Sequence, residues 1–315
     1  MLDPTAIPRA GAGRSEVLVV DRHGTRLPYS RGLMAASIMA TGLAPEDAYR
    51  LARVIAGVVV SSNRRQLTSD GLIEVAAEVL AREEGPVVAD RYIAWRRAKR
   101  LPRPIIVLIG GVTGVGKSVV ATKLGARLDI PQIVPTDAIR EMMRSFLPPS
   151  EHPEIHRSSF QGGPPGDTRA VIEGFEAQAR AVGRGVQAIV ERLVQEQRDS
   201  IVEGVHLLPG LMSGERMKHV RRDALLVEVM LVLRDPEAHR AHFHHRSDEN
   251  AHGRDQDSYL QRLWDIRAIQ DHLERIAILN SVPIVPAGNL DDSIQAVLER
   301  VVDTAVSDPV VAAAR

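Results

Sequence analysis

The sequence contains no cysteine among its 315 residues. Disulfides, thiolate metal sites and cysteine nucleophiles are therefore excluded, and the composition suits a reducing cytosol. Net charge is missing as well, because 40 Lys plus Arg stand against 40 Asp plus Glu. Nothing in this balance points to nucleic acid or to an anionic membrane surface, so any anion binding must come from local charge.

Signals for export and for membrane insertion are not found either. The first residues, MLDPTAIPRAGAGRSE, include an acid and prolines but no apolar core, so no secretory signal is predicted. The apolar run from Leu225 to Leu233 is interrupted by Glu228 and is too short to span a bilayer. We therefore expect a cytoplasmic protein with neither a nucleic-acid nor a membrane partner.

The sequence does contain enough apolar residues, 44%, for packed cores, and its length favours two domains. Residues 16–28 predict a β-hairpin, and helical spacing follows after Ser30, after Pro45, over 69–84 and over 86–99. The basic stretch RRAKRLPRP, at 96–104, predicts the domain junction. We therefore predict a small, mostly helical domain over 1–100, a second domain over 101–306 and a disordered tail over 307–315.

The second domain has a different pattern. Apolar, β-branched runs at 105–109, 132–134, 200–202, 225–233 and 282–285 alternate with helical segments. This alternation predicts an α/β fold, a parallel sheet with helices on both faces and right-handed crossovers. One helix is expected to run from Asp167 to about Arg198, with a kink or break at its glycines left open.

A glycine-rich bend follows the first of these strands. GVTGVGKS, Gly111 to Ser118, matches the phosphate-loop pattern and lies between a predicted strand and a predicted helix. Such a P-loop points its N–H groups at phosphate oxygens, Lys117 reaches the β and γ phosphates, and the Ser118 hydroxyl ligates Mg²⁺. The alternative is a plain strand-to-helix turn with an exposed lysine. ATP·Mg²⁺ is thus the predicted cofactor, held by Gly111, Thr113, Gly114, Val115, Gly116, Lys117, Ser118 and Val119.

The next strand leads into PTDAIREMMRSF, which predicts a short helix. Its buried stripe is expected to consist of Ile139, Met142, Met143 and Phe146. Asp137, Arg140 and Arg144 then share another face. A carboxylate that takes or orients a hydroxyl proton, together with arginines that bind an anionic acceptor, is typical of a small-molecule kinase. Alternatively, Asp137 is only an N-cap and the arginines are solvated.

The third strand ends at Glu203, within DSIVEGVHLLPG. A carboxylate at the end of a buried strand is costly unless Mg²⁺, water or a cation meets it, so Glu203 is the candidate second-shell acid for the metal. His206 is a candidate for a hydrogen bond to the acceptor, with a loop histidine satisfied by backbone as the alternative.

A histidine-rich segment runs from Arg234 to Tyr259. His239 and His242 could share a helical face, but no acidic ligand partners them at a recognised zinc spacing. We predict instead a lid that brings Arg240 or Arg246, both catalytic candidates with Lys117 and Asp137, onto the transferring phosphoryl group. A charged surface loop is the alternative.

Together, GGVTGVGKS, PTDAIREMMR and IVEGVHLLP resemble the motifs of the 2-phosphoglycerate kinases, best known from methanogenic archaea, and of related P-loop proteins, in the same order. The resemblance covers about residues 100–300. It implies a nucleoside monophosphate kinase-like core that transfers the ATP γ-phosphoryl group to the 3-hydroxyl of 2-phosphoglycerate, giving 2,3-bisphosphoglycerate. Arg140 and Arg144 would then hold the carboxylate and phosphate of this small phosphorylated acid.

The first hundred residues resemble an ATP-cone, the nucleotide-binding domain that precedes the core in this family. The matching stretches are DRHGTRLPYSRGLM, GLAPEDAYRLA and VADRYIAWRRAKR. ATP-cones usually carry basic residues on the first strand, where this chain has Val19 and Val20. Arg22, Arg26 and Arg31 are the remaining nucleotide-binding candidates, and a role in packing or in forming a homo-oligomer is the alternative.

Two other functions fit the same motifs. One is a kinase for another phosphorylated small molecule, such as a polyol or inositol phosphate, because guanidinium groups recognise phosphate geometry and not the carbon skeleton. The other is a nucleotide-sensing regulator with little catalysis, although a pure sensor needs no acceptor site.

Overall fold

The computed structural model describes residues 17–21, 24–62, 64–249 and 256–314, without the side chains of 244–249 and 256–257. These residues form two compact units. The first ends at Ile93 and omits residues 40–42, which belong with the second. No described helix is both long and apolar enough to cross a membrane.

The first unit contains a three-stranded sheet of β1 (Leu18–Val20), β2 (Arg26–Pro28) and β3 (Gln66–Thr68). Strands β1 and β2 are antiparallel, as the predicted hairpin requires, whereas β1 and β3 are parallel. Its helices are α1 (Arg31–Met39), α2 (Pro45–Ser61), α3 (Ser69–Glu83) and the start of α4 (Pro86–Ala98). Strand β3 was not predicted, because three residues carry no readable alternation. Arg26 and Arg31 are exposed, and Arg22 lies outside the described residues.

The second unit contains the predicted parallel sheet. Its strands are β4 (Ile105–Gly110), β5 (Gln132–Pro135), β6 (Ser200–Gly204), β7 (Leu225–Val232) and β8 (Ile284–Pro286). They lie in the order β5-β6-β4-β7-β8 and all pairs are parallel. Every residue of the central β4 is buried, as expected for a strand covered on both faces. Gly110 pairs with Gly204, so β4 and β6 end side by side.

Nine helices of the described residues accompany this sheet. They are α5 (Lys117–Leu128), α6 (Thr136–Phe146), α7 (Thr168–Gln195), α8 (Lys218–Asp223), α9 (Pro236–Glu249), α10 (Gln256–Gln261), α11 (Leu263–Leu279), α12 (Leu290–Ser307) and α13 (Pro309–Ala313).

Helix α7 is the long helix that the sequence predicts, and it is continuous over 28 residues. Its glycines allow close packing, and no break occurs at them. A Cβ on Gly174 would lie 2.4 Å from the Cα of Gly162, and one on Gly185 would lie 2.9 Å from the side chain of Ile139. The advantage of close packing outweighs the weak helix propensity of these residues.

The carboxyl terminus differs from the predicted disordered tail. Residues 309–313 form α13, whose first turn is capped by the side chain of Asp308. Asp308 also pairs with Arg103 at 2.8 Å, and Val311 is buried. The sequence of residues 307–315 alone does not predict these contacts, because a partner such as Arg103 lies far away in the chain.

Candidate active site

The P-loop follows β4 and turns into α5 at Lys117, as predicted. Gly111, Gly114 and Gly116 have φ angles of 147°, 90° and 87°, which are conformations that favour glycine. The positive end of the α5 dipole lies at this bend and adds partial positive charge there. The local structure is that of an anion-binding loop.

Two side chains at the start of α5 make hydrogen bonds, one within the P-loop and one to strand β6. Lys117 Nζ donates to the carbonyl of Val112 over 2.9 Å. The Ser118 hydroxyl donates to Oε1 of Glu203, also over 2.9 Å. Glu203 is 6% exposed and ends β6 beside β4. The buried carboxylate therefore accepts a hydrogen bond from the P-loop serine.

Helix α6 begins at Thr136, with Pro135 at the N-cap and Asp137 in the first turn. Asp137 is therefore not the cap that the alternative interpretation assumed. The predicted buried stripe is wrong in half of its members, since Met142 is 61% and Phe146 is 80% exposed, while Ile139 is buried. The partly buried residues of α6 are Met143 and two arginines.

These arginines, Arg140 and Arg144, are partly buried. Arg140 Nη1 donates to the carbonyls of Ile155 and Arg157, and its Nε lies 3.6 Å from Asp137. Arg144 pairs with Glu141 at 2.8 Å. The Nε atoms of both arginines are buried, with no hydrogen-bond partner among the described residues. Each guanidinium thus keeps an unused donor.

A cavity of about 350 Å³ joins the P-loop to α6. It is lined by polar and charged side chains from both elements, among them Thr113, Lys117, Ser118, Asp137, Arg140, Arg144 and Glu203. The structure therefore brings together predicted residues that are up to 90 positions apart in the sequence, from Thr113 to Glu203. Cationic and acidic groups therefore line the same cavity.

Other predicted site residues lie elsewhere. Val119 is 48% exposed on α5 and does not line this cavity. Arg240 is exposed on α9, 3.8 Å from Glu237, and does not line it either. The side chain of Arg246 lies outside the described residues. That a closing lid brings Arg240 or Arg246 onto the transferring phosphoryl group stays a prediction.

The hydrogen bond predicted from His206 to an acceptor is not what the structure contains. His206 is fully buried, accepts at Nδ1 from the Thr136 hydroxyl and donates from Nε2 to Gln178 Oε1. Gln178 in turn donates to the carbonyls of Glu154 and Arg157. Burial lowers the pKa of His206 to about 4, so the ring is neutral at neutral pH. Its role is to hold α6 and the segment around Arg157 in place.

Several residues that line the cavity were not predicted. Among them are Ser158, Ser159 and Phe160, from the connection before α7, and Ser258 and Tyr259, from α10. The buried Arg262 holds the connection by donating to the carbonyls of Phe160 and Gly163, and its partner Asp265 accepts from the N–H of Gly166. Arg262 is 102 residues from Phe160, so no local pattern could reveal this wall.

Two families of known proteins are similar to this chain. Residues 17–101 match the ATP cone domain family. The 2-phosphoglycerate kinase of Pyrococcus furiosus is 33% identical over 297 residues, which cover 92% of this chain and 95% of that protein. The 2-phosphoglycerate kinases of Methanopyrus kandleri and Methanocaldococcus jannaschii are 33% and 31% identical, covering 90% and 85% of this chain and 86% and 85% of theirs.

Solved structures of small-molecule kinases show a weaker likeness. A gluconokinase from Sinorhizobium meliloti 1021 has a TM-score of 0.38 at 18% identity, covering 64% of this chain and 94% of its own. A shikimate kinase from Bacteroides thetaiotaomicron has a TM-score of 0.36 at 13% identity, covering 62% and 95%. Scores this low carry no argument about function.

Proposed function

The chain belongs to the 2-phosphoglycerate kinase family and is an ATP-dependent phosphotransferase, and we propose that its acceptor is 2-phosphoglycerate. In this proposal the γ-phosphoryl group of ATP moves to the 3-hydroxyl, giving 2,3-bisphosphoglycerate and ADP. The observation that carries the proposal is the shared cavity, which places Lys117 of the P-loop and Asp137, Arg140 and Arg144 of α6 around one space.

The arginines support a small anionic acceptor. The buried Nε atoms of Arg140 and Arg144 have no hydrogen-bond partner among the described residues, and an unpaired buried donor is costly. An acceptor with both a carboxylate and a phosphate would supply one anionic group for each guanidinium. Its short carbon chain is compatible with a cavity of about 350 Å³.

Oxygen atoms suited to Mg²⁺ lie next to the P-loop. Ser118 and Glu203 line the same cavity, and hydroxyl and carboxylate oxygens are the protein ligands that this hard cation uses, directly or through water. When bound, Mg²⁺ would neutralise charge on the phosphates. Ser118 would hold it directly and Glu203 would hold its water shell.

Asp137 is positioned to act on the acceptor hydroxyl. Its carboxylate is half exposed, lines the cavity and lies 3.6 Å from Arg140, so it can accept a hydrogen bond from a hydroxyl bound beside that arginine. A new bond forms between that hydroxyl oxygen and the γ phosphorus, the bond to the bridging oxygen of ADP breaks, and the proton passes to Asp137 or to water. A loose transition state asks little of a base, so Asp137 mainly orients the hydroxyl.

A coupled assay of ADP release tests the proposal. Wild-type protein is supplied with ATP·Mg²⁺ and, separately, 2-phosphoglycerate, 3-phosphoglycerate, glycerate or an inositol phosphate. We expect a rate well above the intrinsic ATPase with 2-phosphoglycerate and much lower rates with the others. A preference for inositol phosphate would favour the polyol kinase. Tight ATP binding without stimulation by any acceptor would favour a nucleotide sensor.

A further inference from the structure

Two histidines of α9 contact the backbone of the P-loop. Nε2 of His239 lies 2.8 Å from the carbonyl oxygen of Thr113, and Nδ1 of His242 lies 2.9 Å from the carbonyl oxygen of Gly114. The two histidines are three positions apart on one helix, so successive residues of the loop are bonded by the same helical face. These two histidines of α9 therefore contact the P-loop directly.

The direction of these hydrogen bonds follows from the acceptors. A carbonyl oxygen only accepts, so His239 carries its proton on Nε2 and His242 carries one on Nδ1. Burial lowers the pKa of His239, which keeps its ring neutral with a single N–H. Nδ1 of His239 is buried and has no hydrogen-bond partner among the described residues. The one proton of this ring is thus committed to the P-loop.

Peptide planarity turns the two bonds into constraints on N–H groups. In a trans peptide the C=O and the following N–H point in opposite directions. Holding the Thr113 carbonyl toward α9 therefore directs the N–H of Gly114 away from it, and holding the Gly114 carbonyl does the same for Val115. These are two of the N–H groups expected to bind phosphate oxygens.

Close packing keeps the donors in position. Gly114 has no side chain at the contact, and a Cβ there would lie 2.8 Å from His239 Nε2 and 2.7 Å from the Phe243 ring. The His239 ring stacks on Phe243 with centroids 5.1 Å apart, and Phe243 stacks on Tyr259 at 5.2 Å. This aromatic stack packs behind the His239 ring and supports its orientation.

We propose that His239 and His242 are positioning residues for ATP, which orient the N–H groups of Gly114 and Val115 toward the nucleotide phosphates. The inference rests on the proposed binding of ATP by the P-loop. The histidines touch neither substrate, and they act only through the two carbonyl groups.

Side-chain geometry offers a specific test, because glutamine places an amide nitrogen near the position of histidine Nε2 and asparagine places one near Nδ1. His239→Gln and His242→Asn keep the donor where it is needed, whereas His239→Asn and His242→Gln displace it, and His239→Leu and His242→Leu remove it. ADP binding is measured by isothermal titration calorimetry, with thermal melting of each variant. His156→Leu is the matched control, because it also loses a bond from Nε2 to a carbonyl, that of Leu147.

We expect His239→Gln, His242→Asn and the control to bind ADP as the wild type does. In the variants whose donor is displaced or removed, the Kd for ADP should rise about threefold to tenfold, which is the factor that corresponds to one hydrogen bond. This opposite preference at the two positions is not expected from loss of stability alone. Leucine variants that bind ADP with wild-type affinity would overturn the inference, as would equal weakening by Gln and Asn at each position. A wild type that does not bind ADP would instead overturn the proposed role of the P-loop.

Discussion

The hydroxyl of Ser118 donates a hydrogen bond of 2.9 Å to the buried carboxylate of Glu203. This contact joins the start of α5 to the end of β6. It places a hydroxyl oxygen and a carboxylate oxygen in the cavity that Lys117 also lines, so activity should depend on the metal ion that these oxygens suit.

Glu203→Gln should raise the Mg²⁺ concentration needed for half-maximal activity about tenfold, because an uncharged amide holds the metal's water shell less strongly. The amide oxygen still accepts from Ser118, so folding should be preserved. Activity is measured against Mg²⁺ at saturating ATP, with Glu173→Gln on the exposed face of α7 as control. An unchanged Mg²⁺ dependence in Glu203→Gln would argue against its role.

Substitutions of Arg140 and Arg144 should both weaken acceptor binding, but only the substitution of Arg140 should also lower stability. Arg144→Gln should raise the KM for the acceptor at least tenfold, with the KM for ATP unchanged, because a charged hydrogen bond contributes about 1.5–3 kcal/mol. Arg140→Gln should do the same and also lower the melting temperature, since it loses the bonds to Ile155 and Arg157. Steady-state kinetics and thermal melts check both. An effect of Arg144→Gln on the KM for ATP alone would contradict the assignment.

Gly204→Ala should unfold or strongly destabilise the protein. The φ angle of Gly204 is 156°, and a Cβ there would lie 1.7 Å from Oγ1 of Thr136, the residue that donates to His206. We expect a loss of about 3 kcal/mol or more, from strain and overpacking together. Urea unfolding measures it, and Gly214→Ala, which meets nothing within 4 Å, is the control. Equal stability of the two variants would be inconsistent with this packing.

Two groups with shifted pKa values, the buried His206 and the partly buried Glu228, should give opposite pH dependences of stability. Burial lowers the pKa of His206 from 6.5 to about 4, so its contribution is present above pH 6.5 and is lost as the pH falls toward 4. Burial raises the pKa of Glu228 from 4.5 to about 7, so its contribution is present below pH 4.5 and is lost as the pH rises through 7. Each is on the order of 3 kcal/mol, at about 1.4 kcal/mol per pKa unit.

Relative to the wild type, the stability of Glu228→Gln should therefore rise between pH 4.5 and 6.5, while that of His206→Gln should fall. Urea unfolding of the three proteins at several pH values measures these slopes. Parallel slopes in all three would show that neither group titrates differently in the folded and unfolded states.

The sequence predicted the elements whose signals are local. The five strands of the large sheet have short apolar runs, and the P-loop has a fixed spacing between such a strand and a helix. Asp137, Arg140 and Arg144 could be grouped because three- and four-residue steps share a helical face.

The features that were missed depend on distant contacts. His239 and His242 bond to residues more than 120 positions earlier, and Arg262 holds the loop at Phe160 from 102 positions away. Met142 and Phe146 lie on a helical stripe that hydrophobicity alone would bury, but both are exposed, whereas Arg140 and Arg144 are partly buried and line the cavity. No spacing rule within one helix can report which partner its face will meet.

In the proposed reaction, Lys117 and the arginines of α6 bring ATP and 2-phosphoglycerate together for transfer. This transfer can be followed by ³¹P NMR, with Lys117→Ala as the inactive variant and Lys123→Ala, exposed on α5, as its matched control. We predict that the wild type and Lys123→Ala form ADP and a second phosphomonoester signal on the glycerate in equal amounts, and that Lys117→Ala forms neither. Release of ADP with inorganic phosphate and no second phosphomonoester would contradict the account.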